Sequence, residues 1–553
     1  MNRLFQIITF FALAATIVAQ KAAPVPAPPP QLPPTPAKPE ATKQNLQKKD
    51  KHKKAADEFF LGPVVHLEIQ FKPADWEFIK RDHRRYSECT ITETAPDGKK
   101  TIYKHAAAKL KGAAGSFQGP DGKPGLTISL DEFKGADRFH GMEKFHLNNG
   151  AQDGSLLNEY VGGLWSRAAG VPASRCTHVL VKWQGRDLGL YLFKESFSKQ
   201  FLTYFYENND GNLYDGHFIS EVDGNLEKQS GDGPDDRSDL KALAEAAKEP
   251  DVKVRWQKIF QRLDVDEFLR ALAVETFVCH WDGYNFNRNN FRVYFDPKTK
   301  KANFFCHGMD QIFGDANWPV VRDPGSLVGG AVWSNPDWKT HYRKLAEEIY
   351  TKVLKPVDWE AKIFAQGKKI QEALAKVNPK AAQDYQGQID AARNRVMARL
   401  TAIGKQFGDL PKPLPWQGNI ARLGTQHWRT EGGGTITELQ LNGQHCFHIR
   451  ADGNPAPNWR RTVTLEPGKY RFEAQAKVSN VDGPGDGSGE GAGIRVSGGS
   501  RAGKNGLKGS SQWQKLAYEF DSTGAEITLV AELRAQKGEV WFQSGSFQLV
   551  RVQ

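Results

Sequence analysis

Residues 279–314 read CHWDGYNFNRNNFRVYFDPKTKKANFFCHGMDQIFG, and this stretch decides how the fold is interpreted. Two apolar runs, 291–295 and 302–306, flank the sequence DPKTK at 296–300. Aromatic-rich runs separated by a short turn with proline and polar residues are typical of a β-hairpin. The stretch therefore predicts two antiparallel strands with polar residues at their open end.

The residues around that open end are carboxylates and amides. Antiparallel pairing sets Asn290 opposite His307 and Asn287 opposite Asp310. Mg²⁺ on a nucleotide takes hard oxygen ligands and usually only one or two protein carboxylates, while a separate Asp can orient an attacking hydroxyl. Asp- and Asn-rich loops also form plain turns. The polar residues expected to converge here are Asp282, Asn287, Asn289, Asn290 and Asp310.

The order of these residues matches the order of catalytic parts in protein kinases. His280-x-Asp282 is followed by Asn287 at the spacing of a kinase catalytic loop, and then come a strand, a turn and a strand. Asp310 precedes Phe313-Gly314, with Gln311 and Ile312 inserted between them. Either match alone is weak, but their joint occurrence around one hairpin favours a kinase-like site.

The region resembles the spore coat protein H (CotH)-type atypical kinase family. Further motifs that carry the resemblance are Leu147-Asn148-Asn149 with Asp153, Ala169-Gly170-Val171-Pro172-Ala173, and Gly189-Leu190-Tyr191 with Glu195. The resemblance implies an atypical kinase-like domain that uses ATP and Mg²⁺ to phosphorylate extracytoplasmic or coat proteins. It also implies that Asp282 orients or deprotonates the acceptor hydroxyl, and that Asn287 or Asn290 holds Mg²⁺ together with Asp310.

Two departures from the family pattern concern the metal and the nucleotide. Gly308-Met309-Asp310 stands where many relatives carry Asp-x-Asp, so one carboxylate is missing. The usual Arg-Gly-x-Ser-Ser and Lys-Lys pattern appears here only as Lys111-Gly112-Ala113-Ala114-Gly115-Ser116, then Lys123-Pro124. Such a glycine-rich run can let backbone N–H groups approach phosphates, but a flexible turn between strands is the alternative. The resemblance places the phosphate-binding lysine at Lys123, and the residues expected to contact nucleotide are Lys123, Gly112, Gly115 and Ser116.

The N-terminus reads as an export signal followed by a tether. A short basic start precedes a mostly apolar run that is shorter than a membrane span needs, which predicts a signal peptide at 1–19 and an exported protein with no transmembrane span when mature. Residues 20–60 are rich in Pro and then Lys, and they predict an extended tether. Because much of the net charge of +11 lies in this tether without interleaved aromatics, we expect no nucleic acid partner.

Patterns along the rest of the chain predict an α+β region and then an all-β unit. Alternating residues at 64–71 predict a strand, and helical periodicity at 156–169 follows the candidate caps Asp153 and Ser155. Gly and Pro residues at 408–415 interrupt every periodic pattern. We expect a kinase-like domain at 61–330, a helical extension at 331–410 and a jelly-roll-type β-sandwich at 414–553.

The sandwich resembles a carbohydrate-binding module. Its tryptophans are dense for one domain, and exposed aromatic rings can stack on sugars, although any single tryptophan is more often a core residue. A polysaccharide is therefore an expected partner besides a protein substrate. The tryptophans are Trp416, Trp428, Trp459, Trp513 and Trp541.

The five cysteines are too few and too dispersed for a disulfide scaffold. Cys279-His280 and Cys306-His307 invite a zinc reading, but adjacent strand residues face opposite sides and would not converge on one ion. Buried thiols, or one Cys279–Cys306 bridge at the hairpin base, are the expectation.

Two functions from different classes follow. The first is an exported atypical kinase that transfers phosphate from ATP to Ser or Thr of envelope or secreted proteins. The second is a catalytically inactive kinase-like scaffold that binds envelope polysaccharide or partner proteins. The carboxylate missing at Gly308 favours the scaffold, whereas the set Asp282, Asn287 and Asp310 favours the enzyme.

Overall fold

The computed structural model of the protein describes residues 43–113, 115–216, 218–409, 414–451, 456–483, 490–501, 505–524 and 526–552. The predicted signal peptide and residues 20–42 of the predicted tether lie outside these ranges. Helix α1 (Lys43–Leu61) occupies the rest of the tether, so the prediction of extended chain is wrong there. The helix forms because Phe59 and Phe60 bury their rings, and the Phe59 ring lies 4.7 Å from that of Phe193.

A closed barrel follows, in the strand order β1-β2-β3-β4-β5-β7-β6. Parallel pairing of β1 with β6 closes it, with Leu67 opposite Val181, and alternate apolar residues fill the interior. The strand and helix predicted at 64–71 and 156–169 are confirmed as β1 and α3. The elements are β1 (Val65–Gln70), α2 (Pro73–Arg81), β2 (Ser87–Thr94), β3 (Lys100–Lys111), β4 (Gly125–Ser129), β5 (Lys144–Asn148), α3 (Asn158–Ala168), β6 (Cys176–Trp183) and β7 (Arg186–Glu195).

The second unit consists mainly of helices around a four-stranded sheet in the order β11-β10-β8-β9. The predicted hairpin is confirmed with its register, Phe291 opposite Cys306 and Phe295 opposite Ala302. The elements are α4 (Lys199–Leu202), β8 (Leu213–Asp215), β9 (Glu227–Ser230), α5 (Ser238–Lys248), α6 (Val252–Arg262), α7 (Val265–Phe277), α8 (Tyr284–Asn287), β10 (Phe291–Phe295), β11 (Ala302–Cys306), α9 (Leu327–Trp333), α10 (Pro336–Glu348), a π-helical turn (Ile349–Leu354), α11 (Trp359–Val377) and α12 (Pro379–Asp409).

An all-β sandwich of one eight-stranded and one four-stranded sheet ends the chain, which confirms the predicted order of an α+β region and a sandwich. Arg343 of α10 pairs with Glu526 of the sandwich. Within the described ranges, no helix is both long and apolar enough to cross a membrane. The strands are β12 (Trp416–Gln417), β13 (Ile420–Arg422), β14 (Arg429–Glu431), β15 (Thr435–Leu441), β16 (Gln444–Arg450), β17 (Asn458–Thr464), β18 (Pro467–Asp482), β19 (Gly491–Val496), β20 (Gly509–Thr523), β21 (Glu526–Arg534), β22 (Lys537–Gln543) and β23 (Gln548–Val552).

Candidate active site

The loop between α7 and β10 presents Asp282 at the open end of the hairpin. Glu275, in the last turns of α7, lies beneath this loop, and its carboxylate accepts a hydrogen bond from the backbone N–H of Asn285 at 3.1 Å. Burial raises the pKa of Glu275 to about 7. A buried acceptor of this kind fixes the backbone of the single-turn helix α8 and therefore the position of the residues on either side of it.

Three asparagine side chains converge on Asp282. Asn287 donates to one carboxylate oxygen at 2.5 Å, while Asn289 and Asn290 donate to the other at 2.9 and 2.7 Å. Hydrogen bonds to both oxygens hold the carboxylate in one orientation. The structure therefore brings together four of the five polar residues that the sequence predicted at this point.

The loop after β11 lies against the Asp282 loop through two backbone contacts. The His307 N–H donates to the Asn290 carbonyl at 2.9 Å, as the predicted register requires. His280 donates from Nε2 to the His307 carbonyl at 2.8 Å. The predicted pairing of Asn287 with Asp310 is wrong, because Asn287 ends helix α8 and does not extend strand β10, and its side chain donates to Asp282 instead.

Gly308 stands where the sequence lacks a carboxylate, and its space is taken by Asn290. Its backbone has φ +57°, a conformation that favours glycine. A Cβ atom placed there would lie only 2.5 Å from the side-chain oxygen of Asn290. The amide of Asn290 thus fills the position from which a second aspartate would project.

Helix α3 holds the turn that carries Asp310. Asn158 donates from its side chain to the Asp310 carbonyl at 2.7 Å, and Glu159 accepts a hydrogen bond from the backbone of Met309. The N-cap of α3 is Leu157, so the predicted caps Asp153 and Ser155 lie before the cap position, but Asp153 still accepts from the Asn158 N–H at 3.0 Å. The first turn of α3 therefore fixes the backbone on either side of the Asp310 side chain.

A buried lysine, Lys194, and a half-buried one, Lys111, lie around the carboxylate of Glu159. Lys194 forms an ion pair with Glu159, and Lys111 reaches it through Asn148, which accepts from Lys111 at 2.6 Å and donates to Glu159 at 2.8 Å. Burial, assisted by Lys194, lowers the pKa of Lys111 to about 8, although Glu159 and Asp310 act in the opposite direction. These three charged residues were not predicted. Lysines at the ends of strands and a Glu in the first helical turn gave no distinctive local pattern.

Lys123 lies apart from this cluster. It donates to the Leu190 carbonyl at 2.8 Å, with its ammonium 4.9 Å from the centre of the Tyr191 ring. Burial alone lowers its pKa, whereas that of Lys111 responds to the charges around Asp310. The ammonium of Lys123 is thus held by the Leu190 carbonyl and the Tyr191 ring, and no described contact joins it to Asp310.

The glycine-rich run joins β3 to β4, directly after Lys111. Gly112 and Gly115 have φ of +107° and +80°, which explains why glycine occupies both positions. The side chain of Ser116 accepts from the Ala113 N–H at 3.2 Å. Asn149 donates to the Ser116 carbonyl at 3.0 Å, which fixes the far end of the run.

The residues near Asp310 fit a divalent cation. Burial, reinforced by the charge of Glu159, raises the pKa of Asp310 to about 6, and Lys194 and Lys111 offset this only in part. A carboxylate whose charged form is disfavoured in this way gains from a nearby cation. No three His, Cys, Asp or Glu side chains group as metal ligands in the described part of the chain. A metal would therefore depend on Asp310 with amide and water oxygens.

The cysteines form no such site and no bridge. All five are free and buried. The Cys279 thiol donates to the Asp315 carbonyl at 3.0 Å, while Cys306 lies in β11 within the hydrophobic core. The predicted alternative of buried thiols holds, and the Cys279–Cys306 bridge is wrong because Cys279 faces the 315 loop.

The tryptophans of the sandwich divide between its core and its outer face. Trp459 is buried against Phe447, with ring centres 4.3 Å apart, and Trp416 and Trp428 also pack on the core. Trp541 lies between Val540 and Phe542, which face the core, so its side chain projects to the other face of the sheet. Trp513 lies at a register shift between β18 and β20, is half-buried and is not among the rings that pack on the core. Two of the five tryptophans are thus available outside the core.

Comparison with solved structures returns carbohydrate-binding modules. TmCBM61 in complex with β-1,4-galactotriose is 17% identical over 23% of this chain and 90% of its own, with a TM-score of 0.17. The CBM22-1 xylan-binding domain from Paenibacillus barcinonensis Xyn10C is 14% identical over 24% of this chain and 90% of its own, with a TM-score of 0.18. A family 35 carbohydrate-binding module from Clostridium thermocellum is 9% identical over 24% of this chain and 100% of its own, with a TM-score of 0.18.

Comparison with curated proteins finds no significant match. The family model described as CotH kinase protein matches residues 115–402. That match begins in the glycine-rich run, contains the loops of Asp282 and Asp310, and ends within α12. It covers more than half of the 553 residues. The chain therefore belongs to the CotH kinase protein family.

Proposed function

We propose that the protein is an exported kinase that transfers the γ-phosphoryl group of ATP to a Ser or Thr hydroxyl of an envelope or secreted protein. One observation carries the proposal: the Asp282 loop and the Asp310 turn meet at one end of the hairpin, joined by the contact from His280 to the His307 carbonyl. Phosphoryl transfer needs an oriented nucleophile and a compensated phosphate charge more than it needs covalent chemistry. The two loops offer one carboxylate for each task.

Each residue has a separate role in this proposal. Asp282 accepts the proton of the acceptor hydroxyl, whose oxygen bonds to the γ-phosphorus while the bond from that phosphorus to the bridging oxygen breaks and ADP leaves. Asp310 holds Mg²⁺ with an amide oxygen of Asn290 or Asn287, and the ion, when bound, neutralises phosphate charge. Lys111, whose ammonium donates to the neutral amide of Asn148, would gain a negative partner from a polyphosphate, whereas Lys194 is already paired with Glu159.

Incubation of the full chain with γ-labelled ATP tests the proposal. With Mg²⁺ present, label should appear on the chain itself or on a Ser-rich basic protein, and removing the metal with a chelator should abolish it. If ATP binds and no label transfers under any metal, the rival function, a kinase-like scaffold without turnover, replaces the enzyme. If ATP does not bind, the proposed roles of Asp310 and of the lysine in nucleotide binding are wrong.

A matched pair of lysine variants decides which lysine contacts phosphate. Lys111→Met should weaken Mg·ATP binding by about tenfold or more, because it removes a half-buried cation whose charge acts on Asp310. Lys123→Met should change affinity little, since Lys123 already donates to the Leu190 carbonyl. Calorimetric titration of both variants measures this. The opposite ranking would assign the phosphate contact to Lys123, as the family resemblance does.

We also propose that the sandwich binds a polysaccharide through its outer face. Trp541 pairs in register with His448 on one side and Lys477 on the other, and the His448 ring stacks on it with centres 5.1 Å apart. A tryptophan held flat beside polar groups presents an apolar ring to a sugar and hydrogen-bond partners to its hydroxyls. Trp513 lies on the strand that flanks Lys477.

Alanine variants of the full chain test this second proposal on immobilised polysaccharides. Trp541→Ala and Trp513→Ala should each lower retention by about tenfold or more, as expected when an aromatic binding residue is truncated. Trp428→Phe, on the core side, should retain normal binding. A wild-type chain that is retained on no glycan, or outer-face variants that bind as well as the wild type, would contradict the proposal.

A further inference from the structure

The last helix of the extension spans both loops of the candidate site. Helix α12 is 31 residues long, and it contacts the entry to α3 where Tyr385 donates to the Ser155 carbonyl. Near its other end Gln406 accepts from the Val320 N–H at 2.8 Å. Between these two points it carries Arg395 and Arg399, one helical turn apart and therefore on one face.

Arg399 ties the outer ends of the two loops together. Its guanidinium is fully buried and donates to the carbonyls of Thr276 and Phe277 at 2.8 and 2.9 Å. It also donates to the carbonyls of Ala316 and Trp318 at 2.8 and 2.6 Å. The carbonyls of Thr276 and Phe277 lie at the C-terminus of α7, just before the Asp282 loop. The carbonyls of Ala316 and Trp318 follow the Asp310 turn. A cation suits the first pair because carbonyls at a helix C-terminus carry partial negative charge.

Arg395 acts on the inner side through Asn158. It donates to the side-chain oxygen of Asn158 at 3.0 Å, and the amide nitrogen of the same Asn158 donates to the Asp310 carbonyl at 2.7 Å. An amide has one accepting and one donating end. By occupying the oxygen, Arg395 selects the orientation in which the nitrogen faces Asp310.

We infer that α12 is a built-in clamp that keeps the two loops assembled, with Arg395 as a positioning residue for Asp310. Helix α3 cannot withdraw Asn158 and Glu159 from the Asp310 turn without breaking contacts to α12. The chain thus supplies from its own helical extension the contacts that hold the two loops of the site. This inference rests on the proposed kinase function.

The test compares Arg395→Met with Arg395→Lys and with Arg393→Met in the full chain. Arg393 lies on the same helix but pairs with Glu360 of α11 at 2.7 Å, so it is a matched control. Arg395→Met should raise the Mg²⁺ concentration needed for half-maximal activity and lower kcat/KM by roughly ten- to a hundredfold, as misplacement of a site group does. Arg395→Lys, which keeps a donor, should recover most of the loss, and Arg393→Met should behave as wild type.

Hydrogen exchange supplies a readout that does not need activity. The amides of Met309 and Asp310 should exchange faster in Arg395→Met than in Arg393→Met at equal melting temperature, because local opening of the turn becomes easier. Equal exchange and equal Mg²⁺ dependence in the two variants would overturn the clamp. An inactive wild type whose 309–310 amides still respond to Arg395 would overturn the kinase proposal but leave the clamp.

Discussion

Asp282→Asn should lower the rate of phosphoryl transfer by roughly 10²–10⁴-fold while ATP affinity persists. The substitution keeps the size and hydrogen bonding of the side chain and removes the group that accepts the hydroxyl proton. Because that proton moves only in the chemical step, the loss should appear in kcat and not in nucleotide binding. Single-turnover transfer and calorimetric ATP titration measure the two quantities separately.

The surroundings of Asp282 explain why this variant should fold normally. The new amide oxygen can accept from Asn289 and Asn290, as one carboxylate oxygen does now. The new amide nitrogen would face the Asn287 nitrogen, but rotation of the Asn287 amide presents its oxygen instead. The loop therefore keeps three hydrogen bonds without a buried unpaired donor.

Asp315→Asn is the control, since Asp315 is an exposed carboxylate just beyond the Asp310 turn. It should transfer phosphate at the wild-type rate. Wild-type activity in Asp282→Asn would remove Asp282 from the mechanism. Inactivity of the wild type as well, with ATP bound, would favour a scaffold.

Local pattern was sufficient to predict the hairpin and the loop of Asp282. Strand alternation, the turn at 296–300 and the amide-rich segment all act over a few residues, so Asn287 and Asn290 were correctly grouped with Asp282. The extrapolation to Asp310 failed because pairing does not continue past the strand ends. The single turn of α8 changes the backbone direction just before β10, and the left-handed conformation of Gly308 changes it just after β11.

Long-range closure was not predictable in the same way. The parallel pairing of β1 with β6 joins segments more than a hundred residues apart, and no local signal identifies it. The ion pair of Glu159 with Lys194 and the Lys111–Asn148 contact depend on the pairing order β3-β4-β5-β7 and on the packing of α3, which no local pattern reveals, so sequence reasoning chose Lys123. Arg395 and Arg399 likewise look like ordinary charged residues of a helix until α12 is placed against the loops.

Asp310→Asn should abolish Mg²⁺-dependent ATP binding and at the same time stabilise the metal-free fold. Burial and Glu159 raise the pKa of Asp310 to about 6 from 3.8. The folded chain therefore binds this proton more tightly than the unfolded chain, and its contribution to stability is lost as pH rises through about 6. At neutral pH the ionised carboxylate destabilises the fold, and a neutral amide removes that cost.

Thermal unfolding at neutral pH, with and without Mg²⁺ and ATP, separates the two effects. Without ligands, the wild type should have a lower melting temperature than Asp310→Asn. Its melting temperature should rise when Mg²⁺ and ATP are added, because ligands that bind only the folded state stabilise it. Asp310→Asn should melt higher alone and gain nothing from Mg²⁺. In the wild type the gain should disappear as pH falls through about 6, where Asp310 takes up a proton and can no longer hold the ion. A variant that still gains stability from Mg²⁺ and ATP, or a wild-type gain unchanged between pH values on either side of 6, would show that another group binds the metal.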